Sequence, residues 1–247
     1  MRILICIDDT DDLESVGTGE LAEMLAATIN NRGWGKTYGV TRHQLLVHPD
    51  IPYTSHNSSM CFEADMDEQQ VKQFIDYAAE FLGSKSAPGS DPGLCVAILD
   101  QIASLENLVD FGRKAKIAVL AKDDAYELAR ELGIHLSEHG GTGQGVIGAL
   151  AGVGLRITGN DGRFKGKVYM NTTDGLASVR EIRGHTKVDM VRSLGGKVLE
   201  DHETVLIEEA LKFVLLDGKS VLLVRPHEDM VKESLWRPCS KQQLKVY

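Results

Sequence analysis

The sequence predicts a mixed α/β (α+β) protein, with helices and sheets over the first two thirds of the chain and a smaller β-rich part behind them. Three observations lead there. Buried strand runs alternate with helices of three-and-four apolar spacing from residue 2 to about residue 153, the pattern of layered sheets and helices. After Gly159-Asn160-Asp161-Gly162 the helical spacing thins out and strand-like runs take over. The 247 residues are 43% apolar and 26% charged, enough to bury a core without disulfide or metal staples. Together these place a boundary near residue 160, giving a region 1–160 and a β-rich region 161–247.

Residues 2 to 7, Arg-Ile-Leu-Ile-Cys-Ile, form a short apolar run rich in β-branched side chains, hence a buried strand. An acidic loop follows, then a helix from Glu20 that ends near Gly33. Strands are expected over Tyr38–Val47 and Ser58–Glu63, separated by turn residues that include Pro49, Asp50 and Pro52. Val71, Phe74, Ile75, Ala78, Phe81 and Leu82 recur at helical spacing and predict a helix over 67–83. A Pro/Gly/Ser loop at 86–93 leads to a strand at 94–99, and helices are expected at about 105–120 and 123–132. Gly140 to Gly145 then open an apolar, alanine-rich helix over 146–153. Behind the boundary, strands are expected at 166–170, 195–199 and 212–225, the last folded into a hairpin at Asp217-Gly218.

The formal net charge is −9 and the sequence pI about 5.4, so the molecule lacks an overall field that gathers polyanions, and nucleic acid is not the default partner. Arg156, Arg163, Lys165 and Lys167 form the one noticeable basic cluster and read as a solvated strand face. The cysteines at 6, 61, 95 and 239 lack metal-ligand spacing, which argues against structural zinc. The run Ile3 to Ile7 is too short for a signal peptide and no run approaches a membrane span. A cytoplasmic address is the expectation.

Asp8, Asp9, Asp11 and Asp12 emerge from the end of the first strand, with Glu14 in the same loop. Strand ends of α/β sheets gather sites, and crowded carboxylates repel one another unless a hard cation such as magnesium, bridged to phosphate, compensates. Thr18, in Gly17-Thr18-Gly19, stands at a helix start, where its hydroxyl either caps the helix or meets a phosphate. The glycines at 140–145 offer a second anion cradle but carry no P-loop ending, and the match to a dinucleotide fingerprint follows a poor strand, His135 to His139. His56, His135 and His139 are surface residues or substrate contacts; His56 has a polar neighbourhood suited to a small ligand.

Three blocks carry a family resemblance: Ile7-Asp8-Asp9-Thr10-Asp11 with Thr18, then Leu45-x-x-His48-Pro49-Asp50-Ile51-Pro52-Tyr53, then Gly145-Val146-Ile147-Gly148-Ala149-Leu150-Ala151. In order and approximate spacing the chain resembles, over residues 1 to 155, the archaeal agmatinylcytidine synthetase family (TiaS) that modifies an isoleucine tRNA. The resemblance implies a kinase-like region that uses ATP and Mg2+, activates a cytidine in tRNA through phosphate chemistry and couples it to agmatine, with a ferredoxin-like portion packed beside it. It further implies that Asp8, Asp9 and Asp11 are catalytic and hold the metal, and that Thr18 accepts the phosphoryl group. Thr10, Gly17, Gly19, Gly141, Thr142, Gly143 and Gly145 are the expected phosphate or nucleotide contacts, and His56, Asn57 and His139 the expected substrate contacts.

The family also carries an OB-type module and a zinc ribbon, whereas this sequence ends at 247 without paired cysteines. The expectation is therefore a shortened homologue without that tRNA grip: an ATP/Mg-dependent phosphotransferase or ligase-like enzyme on a small molecule, nucleic acid being an unlikely partner unless a second protein supplies the grip. The alternatives are a non-catalytic nucleotide- or anion-binding regulatory protein and a tRNA-modification enzyme working with a partner.

Overall fold

The computed structural model describes residues 1–51, 56–172, 174–186, 188–227 and 235–247. Contacts divide the chain into unit 1, Met1–Thr158, and unit 2, Gly159–Tyr247.

In unit 1, β1 (Arg2–Asp8) is buried from Ile3 onward because each of its faces meets a different core. Ile3, Ile5 and Ile7 pack with α1 (Thr18–Asn31), while Leu4 and Cys6 point to the opposite side. That two-sided burial explains an apolar run without alternation. After α1 come β2 (Gly35–Thr37), β3 (Thr41–Gln44), β4 (Ser58–Met66), α2 (Glu68–Lys85) and β5 (Gly93–Ile98). The sheet order is β5-β1-β4-β3, all antiparallel, with β2 also on β4. A β-α-β-β-α-β chain with its first and third main strands central is the ferredoxin-like split βαβ arrangement.

The second face of that sheet is covered by α3 (Leu105–Lys114), α4 (Lys122–Leu132) and α5 (Gly145–Ile157), with β6 (His135–Glu138) added antiparallel to β5. Helix α5 carries Gly145, Gly148 and Gly152 on the side facing the sheet. A Cβ on Gly145 would run into the Asp91 carbonyl, one on Gly148 into the Asp8 carboxylate, and one on Gly152 into Ser59 Oγ and Cys6 Sγ. Glycine costs about 1 kcal/mol of helix propensity at each position, and here that loss allows the helix to lie almost on the strand backbone. Gly154, facing elsewhere, meets the Leu108 carbonyl of α3 in the same way.

Three expectations change in unit 1. The strand expected over Tyr38–Val47 shortens to Thr41–Gln44, β3. The helix from 105 stops at Lys114, and the apolar stretch after it runs as turn and loop to Ala121. Residues His135–Glu138 are a strand after all, half-exposed at the sheet edge rather than buried.

Unit 2 holds β7 (Arg163–Phe164), β8 (Leu176–Ser178), α6 (Val179–His185), β9 (Met190–Ser193), β10 (Thr204–Leu206), β11 (Val214–Leu216), β12 (Lys219–Pro226) and β13 (Leu235–Pro238). The β11–β12 hairpin turns at Asp217-Gly218, both left-handed with φ of 51° and 70°, as a two-residue Asp-Gly turn requires. Along its length β12 pairs with β11, with β13 and, in parallel, with β9, while β10 joins β13 to β8. Leu222 and Val224 face one small core with Val191 and Val205; Val221 and Leu223 face a second with Val214 and Leu244. The strand expected at 166–170 shrinks to a single bridge, Val168 to Leu211. The one expected at 195–199 shrinks to a turn with Gly196 at φ 90° and a single bridge, Val198 to Arg192, and the strand lies before it, in β9. No helix among the described residues is long and apolar enough to cross a membrane.

Candidate functional site

The site forms where β1 ends. A cleft of about 390 Å³ in unit 1 is lined by Asp8, Asp9, Asp11 and Thr18 on one side. Asp50, Ile51, His56 and Asn57 from the β3–β4 connection, Ser58 at the start of β4, Gln144, Gly145 and Gly148 from the start of α5, and an apolar wall of Leu45, Ala115, Ala118, Val119, Leu120 and Ile147 complete it. Pro52 and Tyr53 of the second sequence block, with Thr54 and Ser55, lie outside the described residues.

Thr18 is the first residue of α1, and the residue before it, Gly17, occupies the cap position. Its hydroxyl does not cap the helix. It donates to Asp11 Oδ1 at 2.7 Å and accepts from the Thr10 hydroxyl at 3.0 Å and the Thr10 N–H at 3.4 Å. Thr10 and Thr18 are both buried, so these contacts fix the orientation of the Thr18 hydroxyl toward the acidic loop. A hydroxyl within 2.7 Å of a carboxylate is the arrangement of a nucleophile beside its general base.

Asp8 is buried against Gly148, and its carboxyl is pushed well above the ordinary carboxylate range by desolvation and then by the charge of Asp9, against a partial offset from the Asp9 N–H. Asp9 takes a left-handed backbone at φ 52°, and its carboxyl is pushed up to about 6 by burial, then by Asp91 and Asp11. Two carboxyls shifted upward by burial and by neighbouring carboxylates are what a cation would relieve. Among the described residues no three acidic, His or Cys side chains converge as a finished metal cage. Magnesium fits this donor set nonetheless, because it retains waters and takes one or two carboxylates together with phosphate oxygens. Asp12 turns outward and shapes the loop, accepting from the N–H groups of Glu14 and Ser15.

The glycine loop holds an anion, and that anion belongs to the protein. The carboxylate of Asp91 accepts from the N–H groups of Thr142 and Gly143 and from the Thr142 hydroxyl at 2.8 Å. Gly141 and Gly143 are left-handed, at φ 56° and 75°, which aims those donors at Asp91. Lys122 closes the loop from outside, donating to the Thr142 carbonyl at 2.8 Å and to Glu138 at 2.9 Å. Gly141, Thr142 and Gly143 thus stand behind the cleft and Gly145 lines it, while Gly17 and Gly19 shape the entry to α1. Asn57 lines the cleft while its amide donates to the Leu46 carbonyl at 2.7 Å. His139 does not line it: it shares the Ser137 hydroxyl with His135 on β6, and burial lowers the pKa of both rings. Asp91 and the Ala115–Leu120 wall are additions the sequence did not single out.

No protein-family model and no curated protein matches the chain. Solved structures do. The chain is similar to apo TiaS, the agmatidine synthetase of an isoleucine tRNA, at 28% identity and TM-score 0.53, over 62% of this chain and 35% of that one. It is similar to a tRNA fluorescent labeling enzyme at 27% identity and TM-score 0.57, over 73% and 42%. It shares its fold with TiaS in complex with its isoleucine tRNA and ATP at 23% identity and TM-score 0.56, over 82% and 50%. The likeness to TiaS inferred from three sequence blocks therefore holds in three dimensions, as does the mixed α/β fold, and the chain spans from about a third to half of those proteins.

One expectation is overturned. A small molecule in place of nucleic acid does not agree with structural neighbours that include complexes with an isoleucine tRNA. The physical error lies in averaging charge. Unit 1 carries 12 Lys and Arg against 23 Asp and Glu, whereas unit 2 carries 15 against 13. A net −9 thus describes neither unit.

Proposed function

We propose that the chain is an ATP-using RNA-modifying enzyme, or the catalytic part of one, acting on tRNA, with Thr18 as an acceptor of the terminal phosphoryl group. The observation that carries this reading is the 2.7 Å contact between the Thr18 hydroxyl and Asp11 inside the acidic cleft. In the transfer, Thr18 Oγ1 forms a bond to the terminal phosphorus of ATP, the bond from that phosphorus to the bridging oxygen breaks, and ADP leaves. Asp11 takes the hydroxyl proton. Asp8 and Asp9 would hold magnesium, which neutralises charge on the phosphates when bound. The apolar wall of Val119, Leu120 and Ile147 suits a base ring, and the N–H groups at the start of α5 suit an anion. The likeness to two tRNA enzymes at 27–28% identity supports RNA as the class of substrate.

The test uses the purified chain with ATP labelled at the terminal phosphate, magnesium and a tRNA transcript. Label is expected on the protein, absent from Thr18→Ala and about 10²-fold slower to appear in Asp11→Asn, the usual scale for loss of a general base. Absence of nucleotide binding by calorimetry together with absence of label, with or without tRNA, overturns the proposal.

A further inference from the structure

Unit 2 has a cleft of its own, of about 410 Å³, and its lining is cationic. Lys167, Lys212, Arg225, Arg237 and Lys241 converge there from three stretches of chain far apart in sequence: the segment after β7, the approach to β11, and the adjacent strands β12 and β13 with the residues that follow. Among the described lining residues Glu208 and Glu209 are the opposing charges, Glu208 joined to Arg237 at 2.7 Å, while Lys212 and Arg225 have partners of their own. The described lining carries five cations to two carboxylates, in the more basic part of an acidic chain, and Lys167 and Lys241 are exposed at its mouth. Tyr169, 68% exposed, stands at the same cleft and offers an aromatic face. Cations that track a backbone beside an aromatic side chain on which a base can stack are the combination that binds single strands without sequence preference.

From this juxtaposition we infer that the Lys167–Lys241 cleft is a phosphodiester-backbone site that holds a strand of RNA. The choice of RNA rests on the proposed function; the phosphate chemistry rests on the cleft alone. Its cations take over from the acidic cleft of unit 1 the work of holding polyanion, so a substrate strand can be retained by a protein whose sequence pI is about 5.4.

The experiment measures anisotropy of a labelled single-stranded RNA on the full-length chain across a salt series. Lys167→Glu/Lys241→Glu changes two exposed side chains outside the strands, and the expected result is at least tenfold weaker binding with a log–log salt slope shallower by about 1 to 2, as removal of two phosphate contacts requires. Lys219→Glu/Lys245→Glu alters the same net charge away from the cleft and is expected to bind within twofold of the wild type. Equal weakening in both double variants, or none in the first, overturns the inference, as does displacement of the RNA by an equimolar amount of inorganic pyrophosphate. Thr18 labelling without RNA is followed in parallel. Loss of RNA binding with labelling retained supports the cleft assignment, whereas a cleft effect in a chain that neither binds ATP nor labels, with or without tRNA, leaves this site standing and overturns the proposed function.

Discussion

At the scale of single residues, Asp9 bears two penalties, a left-handed backbone at φ 52° and a carboxyl raised to about 6. Its folded pKa lies above the ordinary value near 4, so between about pH 4 and 6 the folded state holds a proton that the unfolded state has released. The stability of the ligand-free protein therefore falls as pH rises through that window, as proton linkage requires. Asparagine accepts the same left-handed backbone without a charge. Asp9→Asn is expected to stabilise the ligand-free protein at pH 7.5 by on the order of 1–2 kcal/mol once solvent screening at the cleft is allowed for, and the gain should disappear below about pH 4. Thermal melts in a buffer series check both statements, and a gain that does not change with pH would show that charge is not its cause. Magnesium–nucleotide affinity should fall in the same variant, since a site built to attract a cation is destabilised when empty.

At the scale of elements, α5 links fold and site through Gly148. Gly148→Ala gains about 1 kcal/mol in helix propensity but forces a Cβ onto the Asp8 carboxylate, and such overpacking costs about 1–3 kcal/mol. A modest loss of stability is expected, with more than tenfold weaker binding of the nucleotide. Gly154→Ala strikes the Leu108 carbonyl of α3 instead; it should destabilise the fold and spare nucleotide affinity, and melts paired with calorimetry separate the two outcomes. This helix also shows what the sequence discloses. Its apolar run and its position behind a glycine loop are local signals, as are β1, α2 and the Asp217-Gly218 hairpin. The anion in that loop is not local: Asp91 lies 51 residues before Thr142, and only the fold brings them together. The apolar residues 115–121 invite an overlong α3 because a loop that lines a cleft has the composition of a buried helix. Helix α6 carries a local signal too, since Ser178 and Glu181 form a capping box at the expected spacing.

At the scale of the whole molecule, the proposed function and the inferred cleft together imply that two polyanions would be held by two different chemistries. On that reading unit 1, with its 23 acidic residues, would take a nucleotide through a bridging cation and α5 donors. Unit 2, with 15 basic residues, would take a phosphodiester by direct pairing. Ligands that bind the native state suppress local opening where they bind, by an amount set by concentration over Kd, about 2.7 kcal/mol at a hundredfold excess. Hydrogen exchange on the full chain should therefore show ATP with magnesium slowing amides around Asp8 to Thr18 and at the start of α5, while RNA slows amides along β12 and β13. Removing magnesium should abolish the first pattern and leave the second. High salt should do the reverse, because a cation-bridged, half-buried contact is screened less than exposed lysines are. If RNA protected the acidic cleft alone, the substrate would be gripped by its reacting nucleotide only, and the basic excess of unit 2 would have no part in binding.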